Sequence, residues 1–185
     1  FGDELAAGKI ELNLSNISSR RERHREAEKY GTSALERFKS IGETQWQTMS
    51  ENSLANTYTD LNDFRRAQEF YTAALANAKG AGMTVTEAEI EASLGTLELF
   101  RGRYAEALRL FERSRRKYAE LSMPHQSAVA DLEIADIYTA LNLNSEAIEI
   151  YRSVAGSFRR LKLRAEEARA RANYGRAAAK IGKYS

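Results

Sequence analysis

Apolar residues recur along the chain at the spacing of an α-helix. Ala147, Ile150, Tyr151 and Val154 stand at positions i, i+3, i+4 and i+7, and most of the residues between them are polar. This spacing places apolar side chains on one stripe of a helix, whereas a half-buried strand would alternate apolar and polar positions. Similar stripes occur through most of the sequence, so the pattern predicts an all-α protein.

The stripes repeat at a fixed interval. Alanines in related settings occur 40 residues apart, at Ala27, Ala67, Ala107 and Ala147. Turn sequences centred on Asn or Gly recur with the same step, as helix C-termini require. Their centres are Asn62, Gly102, Asn142 and Gly182. This period is typical of proteins built from pairs of antiparallel helices, which we call helix A and helix B, and neighbouring pairs must stack to bury their apolar faces.

Helix A carries a small residue directly after a large residue in every copy. These pairs begin at Leu14, Leu54, Leu94, Ile134 and Tyr174. In the third copy the small residue is Gly95, within a strongly helical stretch. Glycine in a helix costs about 1 kcal/mol relative to alanine. The position therefore predicts a close contact between helices.

These motifs resemble the tetratricopeptide repeat (TPR) in a 40-residue variant. The second copy shows the motif as Leu54, Ala55, Tyr58, Ala67, Tyr71 and Ala74. The first copy departs most, with Ser18 at the Tyr position and Gly31 at the Phe position. The resemblance covers nearly the whole chain and implies a right-handed superhelical solenoid of antiparallel helix pairs.

The register places repeats at about 8–47, 48–87, 88–127 and 128–167, and 168–185 supplies helix A of a fifth. We interpret 1–185 as a single array. The chain begins with phenylalanine and ends where a helix starts to turn back, so we expect a fragment of a longer protein. The last helix would have an uncovered apolar face, and self-association through it stays open.

The amino-acid composition excludes several classes of protein and of chemistry. The chain is 43% hydrophobic and 29% charged, which fits one folded unit. It has no cysteine, so disulfides and thiolate chemistry are excluded. No apolar run approaches the roughly 18 residues of a membrane span. We therefore expect no membrane partner, and we take the cytoplasm as the default location.

Catalytic and nucleic-acid-binding signals are weak. The two histidines, His24 and His125, lie far apart in sequence and neither has a second metal-type ligand at helical spacing. The basic runs at 113–117 and 159–164 come late in B helices, where cations complement the helix dipole, and the net charge is only +2. We expect no enzyme activity, no metal, no cofactor and no nucleic-acid partner.

The TPR resemblance implies a concave groove lined by the A helices. It maps the groove onto Lys9, Asn16, Met49, Asn52, Asn56, Thr59, Glu89, Thr96, Leu99, Leu132, Asp136, Arg169 and Arg176. Asparagine amides both donate and accept hydrogen bonds, so Asn16, Asn52 and Asn56 could pair with an extended peptide backbone. That these are ordinary exposed polar residues stays open.

The resulting function prediction is a protein-interaction scaffold. Its partner would be a peptide segment, another protein, or another domain of the same chain. The two-carboxylate clamp of some TPR proteins is not expected, because Leu12 occupies its first lysine position. The sequence of residues 131–151 resembles the sequences of TPR arrays that are attached to bacterial caspase-like CHAT proteases. The alternative is a peptide- or small-ligand-sensing domain coupled to an output domain outside this chain.

Overall fold

The structure is a computed structural model that describes residues 2–182, and within them it contains nine α-helices. They are α1 (Gly2–Arg20), α2 (His24–Ile41), α3 (Thr44–Asp60), α4 (Phe64–Gly80), α5 (Thr84–Phe100), α6 (Tyr104–Glu120), α7 (Pro124–Ala140), α8 (Asn144–Arg160) and α9 (Arg164–Ile181). Odd-numbered helices are the A helices and even-numbered helices are the B helices. The predicted all-α repeat architecture is confirmed.

Left-handed residues end the helices at a regular interval. Positive φ angles occur at Glu22, Gly42, Asn62, Gly82, Gly102, Ser122, Asn142 and Lys162. After such a residue the next amide donates back into the finished helix, as Asp63 N does to the Tyr58 carbonyl at 2.9 Å. The spacing is half of the sequence repeat. Gly182, the centre of the last predicted turn, is not left-handed, since its φ is −64°. The rest of that turn lies outside the described residues.

The chain divides into two compact units after Arg101. In the first unit, α1 to α5 each pack on the next helix, and α3 also contacts α1 and α5. In the second unit, α6 to α9 each pack on the next helix, and α7 also contacts α9. Within each unit, therefore, successive A helices lie side by side.

Small residues allow the helices to approach closely. The Ser15 hydroxyl on α1 donates to the Ala27 carbonyl on α2 at 2.7 Å, and Ala27 is fully buried. A Cβ atom on Gly31 would lie 2.8 Å from a methyl carbon of Leu54. A Cβ atom on Gly8 would lie 2.7 Å from the ring of Phe38. These positions cannot accept a larger side chain without movement of a neighbour.

The helix bounds differ from the predicted repeat bounds. Helix A begins at Thr44, Thr84, Pro124 and Arg164, so each predicted boundary after the first lies a few residues inside a helix. The physical reason is that the first turn of helix A is largely exposed, as at Thr44 and Gln45. The first turn therefore has no periodically spaced apolar residues that could indicate where helix A begins.

The close contact at Gly8 gives a direct test of the packing. We expect Gly8→Ala to destabilise the fold by roughly 1–3 kcal/mol, because the new methyl group overlaps the buried Phe38 ring. Gly175→Ala is the matched control, since a Cβ atom there meets nothing within 4 Å. It should stabilise by up to about 1 kcal/mol through helix propensity. Urea unfolding followed by circular dichroism measures both, and shifts in the same direction would contradict the packing.

Candidate functional site

All thirteen predicted groove residues lie on A helices, but two of them are buried. Thr59 is 6% exposed and donates its hydroxyl to the Ala55 carbonyl at 2.9 Å. Leu132 is 1% exposed and belongs to a core cluster with Tyr151 and Phe158. Both side chains are buried and offer little surface to a ligand, and a binding role for them stays a prediction.

Several predicted residues in the first unit have a local contact or an exposed side chain. Lys9 places its ammonium 4.5 Å from the ring centroid of Trp46. Met49 is 40% exposed, and Glu89 is exposed on α5. The Thr96 hydroxyl donates to its own helix, to the Ala92 carbonyl, and Leu99 is half-buried. This part of the surface is mixed in character.

The asparagines of the first unit are held in place by neighbouring helices. Asn16 Oδ1 on α1 accepts a hydrogen bond from the Ser53 hydroxyl on α3 at 2.7 Å. Asn56 Oδ1 on α3 accepts from the Tyr71 hydroxyl on α4 at 2.5 Å. Both asparagines are exposed, and within residues 2–182 nothing accepts from their amide nitrogens. Each side chain therefore has its acceptor engaged and its two donors available.

Asn52 differs from Asn16 and Asn56, because its side-chain oxygen has no hydrogen-bond donor within residues 2–182. It lies one helical turn before Asn56 on α3 and is half-buried. Its Oδ1 atom is buried, and no donor among the described residues reaches it. A buried acceptor without a donor is rare in folded proteins and costs about 1–3 kcal/mol. A donor from a bound ligand would remove that cost.

The second unit has a cleft of about 330 Å³ between α7 and α9. We call it the α7–α9 cleft and define it by its lining residues. They are Asp136, Thr139, Ala140, Tyr151, Asn173, Arg176 and Lys180. Two of the predicted groove residues, Asp136 and Arg176, line this cleft. Tyr151 reaches it from α8, since its ring lies in the core and its hydroxyl meets Asp136.

Asp136 is the centre of a hydrogen-bond network in the cleft. Its Oδ1 atom accepts from the Tyr151 hydroxyl at 2.5 Å and from Asn173 Nδ2 at 2.6 Å. Its Oδ2 atom accepts from Arg169 Nη2 at 2.9 Å. Arg169 also bonds Glu133 at 3.0 Å, and Arg176 donates to Asn173 Oδ1. The predicted site residues Asp136, Arg169 and Arg176 therefore belong to one network.

The surroundings shift the pKa values of groups in the network. Burial raises the pKa of Tyr151 to about 12, and its hydrogen bond to the Asp136 carboxylate adds to the increase. Burial also raises the pKa of Glu133, although the Arg169 guanidinium opposes that change. In the first unit, burial raises the pKa of Tyr71 to about 12. Both tyrosines thus remain protonated donors near neutral pH.

Sequence reasoning missed the roles of both tyrosines. Their spacing assigned Tyr71 and Tyr151 to the core, which is correct for their rings but not for their hydroxyls. The sequences of the repeats nevertheless contained a signal for these hydroxyl hydrogen bonds. An Asn or Asp stands 15 residues before each tyrosine, whereas Thr96 stands 15 residues before Phe111, which has no hydroxyl. The pairing of side-chain types across repeats could have indicated the hydrogen bond.

The family model of the tetratricopeptide repeat matches residues 7–80. Residues 7–80 therefore carry the sequence pattern of tetratricopeptide repeats. The predicted resemblance to TPR proteins is thereby confirmed, while the narrower resemblance to CHAT-associated arrays stays a prediction. None of the curated proteins compared with the chain matches its sequence.

Solved structures extend the likeness in fold over most of the chain. A signal transduction ATPase with numerous domains (STAND) and a TPR sensor, from Pyrococcus horikoshii, has a TM-score of 0.83 at 17% identity over 94% of this chain. Aspartyl phosphate phosphatase F from Bacillus subtilis has a TM-score of 0.87 at 13% identity over 98%. TPR-like repeats of a putative kinesin light chain from Podosopora anserina have a TM-score of 0.77 at 17% identity over 95%.

The relatives differ in how much of their own length the match covers. This chain spans 27% of the STAND protein and 49% of the phosphatase, but 86% of the kinesin light chain repeats. At these identities the likeness shows the TPR fold alone.

Metal and membrane features are absent from the described part of the chain. No group of three His, Asp or Glu side chains in it could hold a metal ion. None of its helices has both the length and the apolar character needed to cross a bilayer. The surfaces of the described helices offer hydrogen-bonding groups and charged side chains to a ligand.

The Tyr151 pKa gives a pH test of the cleft. An ordinary tyrosine ionises near pH 10, whereas Tyr151 ionises at about 12 in the folded protein. Between these values the unfolded chain has lost the proton and the folded chain has kept it. The free energy of unfolding should therefore fall as pH rises through this window.

The matched variant is Tyr151→Phe, because Phe111 is the native residue at the equivalent position. We expect it to reduce the loss of stability over this window, measured as the urea midpoint at several pH values. Equal pH dependence in both proteins would mean that the Tyr151 proton is not retained.

Proposed function

We propose that the A-helix surface of the first unit binds an extended protein or peptide segment. The observation that carries the proposal is the fixed orientation of Asn16 and Asn56, each with its acceptor engaged and its donors free. Asn52 adds a buried acceptor that lacks a donor. An extended backbone presents N–H and C=O groups along its length, so it supplies what both kinds of side chain require.

Preorganisation supports this function. The hydrogen bonds from Ser53 and Tyr71 hold the asparagine side chains before any ligand arrives. Less side-chain entropy is then lost on binding, so more of each new hydrogen bond contributes to affinity. Met49, which is 40% exposed, offers an adaptable apolar contact on the same helix as Asn52 and Asn56.

Structural relatives give limited support. A Rap protein, described as complexed with Competence and Sporulation Factor, has a TM-score of 0.70 at 13% identity over 100% of this chain. Its complex is a property of that protein. For the present chain it supports a binding role for a fold of this kind.

A sensing role is the second candidate function. The STAND relative is described as having a TPR sensor, and the α7–α9 cleft here is large enough for part of a ligand. In this role, binding would control an output domain outside residues 1–185. Both candidate functions act through binding and without catalysis. The interpretation of 1–185 as one array within a longer cytoplasmic protein stays a prediction.

Selection from a displayed library of random peptides tests the proposed function. The affinity of a selected peptide should fall about tenfold in Asn52→Ala/Asn56→Ala, because one or two hydrogen bonds of about 1 kcal/mol each are lost. Thr72→Ala is the control, since it removes an exposed polar group from helix B. Circular dichroism must show that all variants remain folded.

Two outcomes would reject the proposed surface. The first is a library that yields no peptide binding to the first unit. The second is a selected peptide that binds the asparagine variant and the parent equally.

A further inference from the structure

The α7–α9 cleft has its acceptors engaged and its positive charges free. Both oxygens of Asp136 accept hydrogen bonds, and the Asn173 oxygen accepts one from Arg176. Arg176 and Lys180 line the cleft one helical turn apart. Neither has a carboxylate within ion-pair distance anywhere in 2–182. The groups in the cleft that can still form hydrogen bonds are therefore mainly the N–H donors of Arg176 and Lys180.

The charges around the cleft sum to a small positive value. Glu133 and Asp136 are negative, and Arg169 bridges them with bonds of 3.0 and 2.9 Å. Arg176 and Lys180 add two positive charges that these carboxylates do not pair directly. Three cations and two anions leave a net charge of +1, which complements a monoanion.

We propose that the α7–α9 cleft binds a single carboxylate of an acidic peptide, held by Arg176 and Lys180. A carboxylate is a monoanion whose oxygens accept several hydrogen bonds, and a guanidinium can donate two of them in parallel. A phosphate dianion would be repelled more strongly by Asp136 and would exceed the available charge. The cleft volume of about 330 Å³ admits an acidic side chain together with part of its backbone.

The first unit contains the same tyrosine hydrogen bond without the two cations of this cleft. The tyrosine is again present at Tyr71, and its partner is Asn56 instead of an aspartate. The positions equivalent to Asn173, Arg176 and Lys180 hold Ser93, Thr96 and Phe100. The shared tyrosine bond is therefore part of the repeat, whereas the two cations are particular to the second unit.

This site differs from the two-carboxylate clamp considered above. That arrangement uses lysine and arginine positions that hold Leu12, Glu89 and Ser93 here. The cations of the α7–α9 cleft, Arg176 and Lys180, stand at other positions of the A helix, and Arg176 is oriented by its hydrogen bond to Asn173. The inference rests on the proposed function only in taking the carboxylate from a peptide.

The probes are three blocked tripeptides and inorganic phosphate. Acetyl-Ala-Glu-Ala-amide carries a side-chain carboxylate, and acetyl-Ala-Gln-Ala-amide is its neutral isostere. Acetyl-Ala-Ala-Ala with a free C-terminus tests the chain-terminal carboxylate. Chemical shifts of the α7 and α9 amides in the full chain report where each probe binds. A saturable response to at least one carboxylate peptide, much weaker with the glutamine peptide and with phosphate, is expected.

Charge-neutralising variants test the two cations. Arg176→Gln/Lys180→Gln should weaken carboxylate binding by at least about tenfold, because charged hydrogen bonds are lost. Arg116→Gln/Arg164→Gln is the matched control, since it removes the same charge from exposed positions outside the cleft. The control should bind as the parent does. Lys180→Gln alone, which leaves the Arg176 to Asn173 bond in place, should give a partial loss and separates binding from any effect on folding.

The outcomes separate this inference from the proposed function. Asn52→Ala/Asn56→Ala lies in the first unit and should bind the tripeptides as the parent does, even if the asparagine surface binds nothing. The inference is overturned by equal binding of the glutamine peptide, by tighter binding of phosphate, or by an unchanged affinity in Arg176→Gln/Lys180→Gln.

Discussion

Close contact between helices at small residues is the constraint on which the rest of the structure depends. Ala27, Ala67, Ala107 and Ala147 are fully buried at the same position of each B helix. Any larger side chain there would force a B helix away from its neighbours. Such a contact restricts how far the two packed helices can rotate about their axes. Each packed helix then presents one face to the core and the other face to solvent.

The tyrosines of the B helices connect this packing to the polar side chains of the proposed binding surfaces. Tyr71 and Tyr151 are each 1% exposed, yet their hydroxyls bond Asn56 and Asp136 on the preceding A helix. Packing that fixes the ring also fixes the hydroxyl, and the hydroxyl fixes the polar side chain. In one unit the bonded side chain is an amide, and in the other it is a carboxylate within a charged cleft. The same tyrosine hydrogen bond therefore orients a neutral side chain in one unit and a charged side chain in the other.

The sequence was sufficient to predict the helices and their pairing, because these follow from a period that recurs at every alanine of the series. It could not predict helix starts, since exposed residues such as Thr44 carry no period. It did not predict that Thr59 and Leu132 are buried, because position within a repeat does not say how deeply a side chain is covered. It placed Asp136 and Arg176 in one groove but gave no indication that Lys180 would line a cleft with them, which depends on the side-by-side placement of α7 and α9.

A crystal structure of the chain with a peptide obtained by library selection would test the central claim most directly. The account predicts a peptide lying against A helices, with backbone carbonyl oxygens at the amide nitrogens of Asn16 or Asn56. An acidic peptide is also predicted to place a carboxylate at Arg176. A peptide bound to the outer surfaces of the B helices, with the asparagines and the cleft unoccupied, would contradict the account.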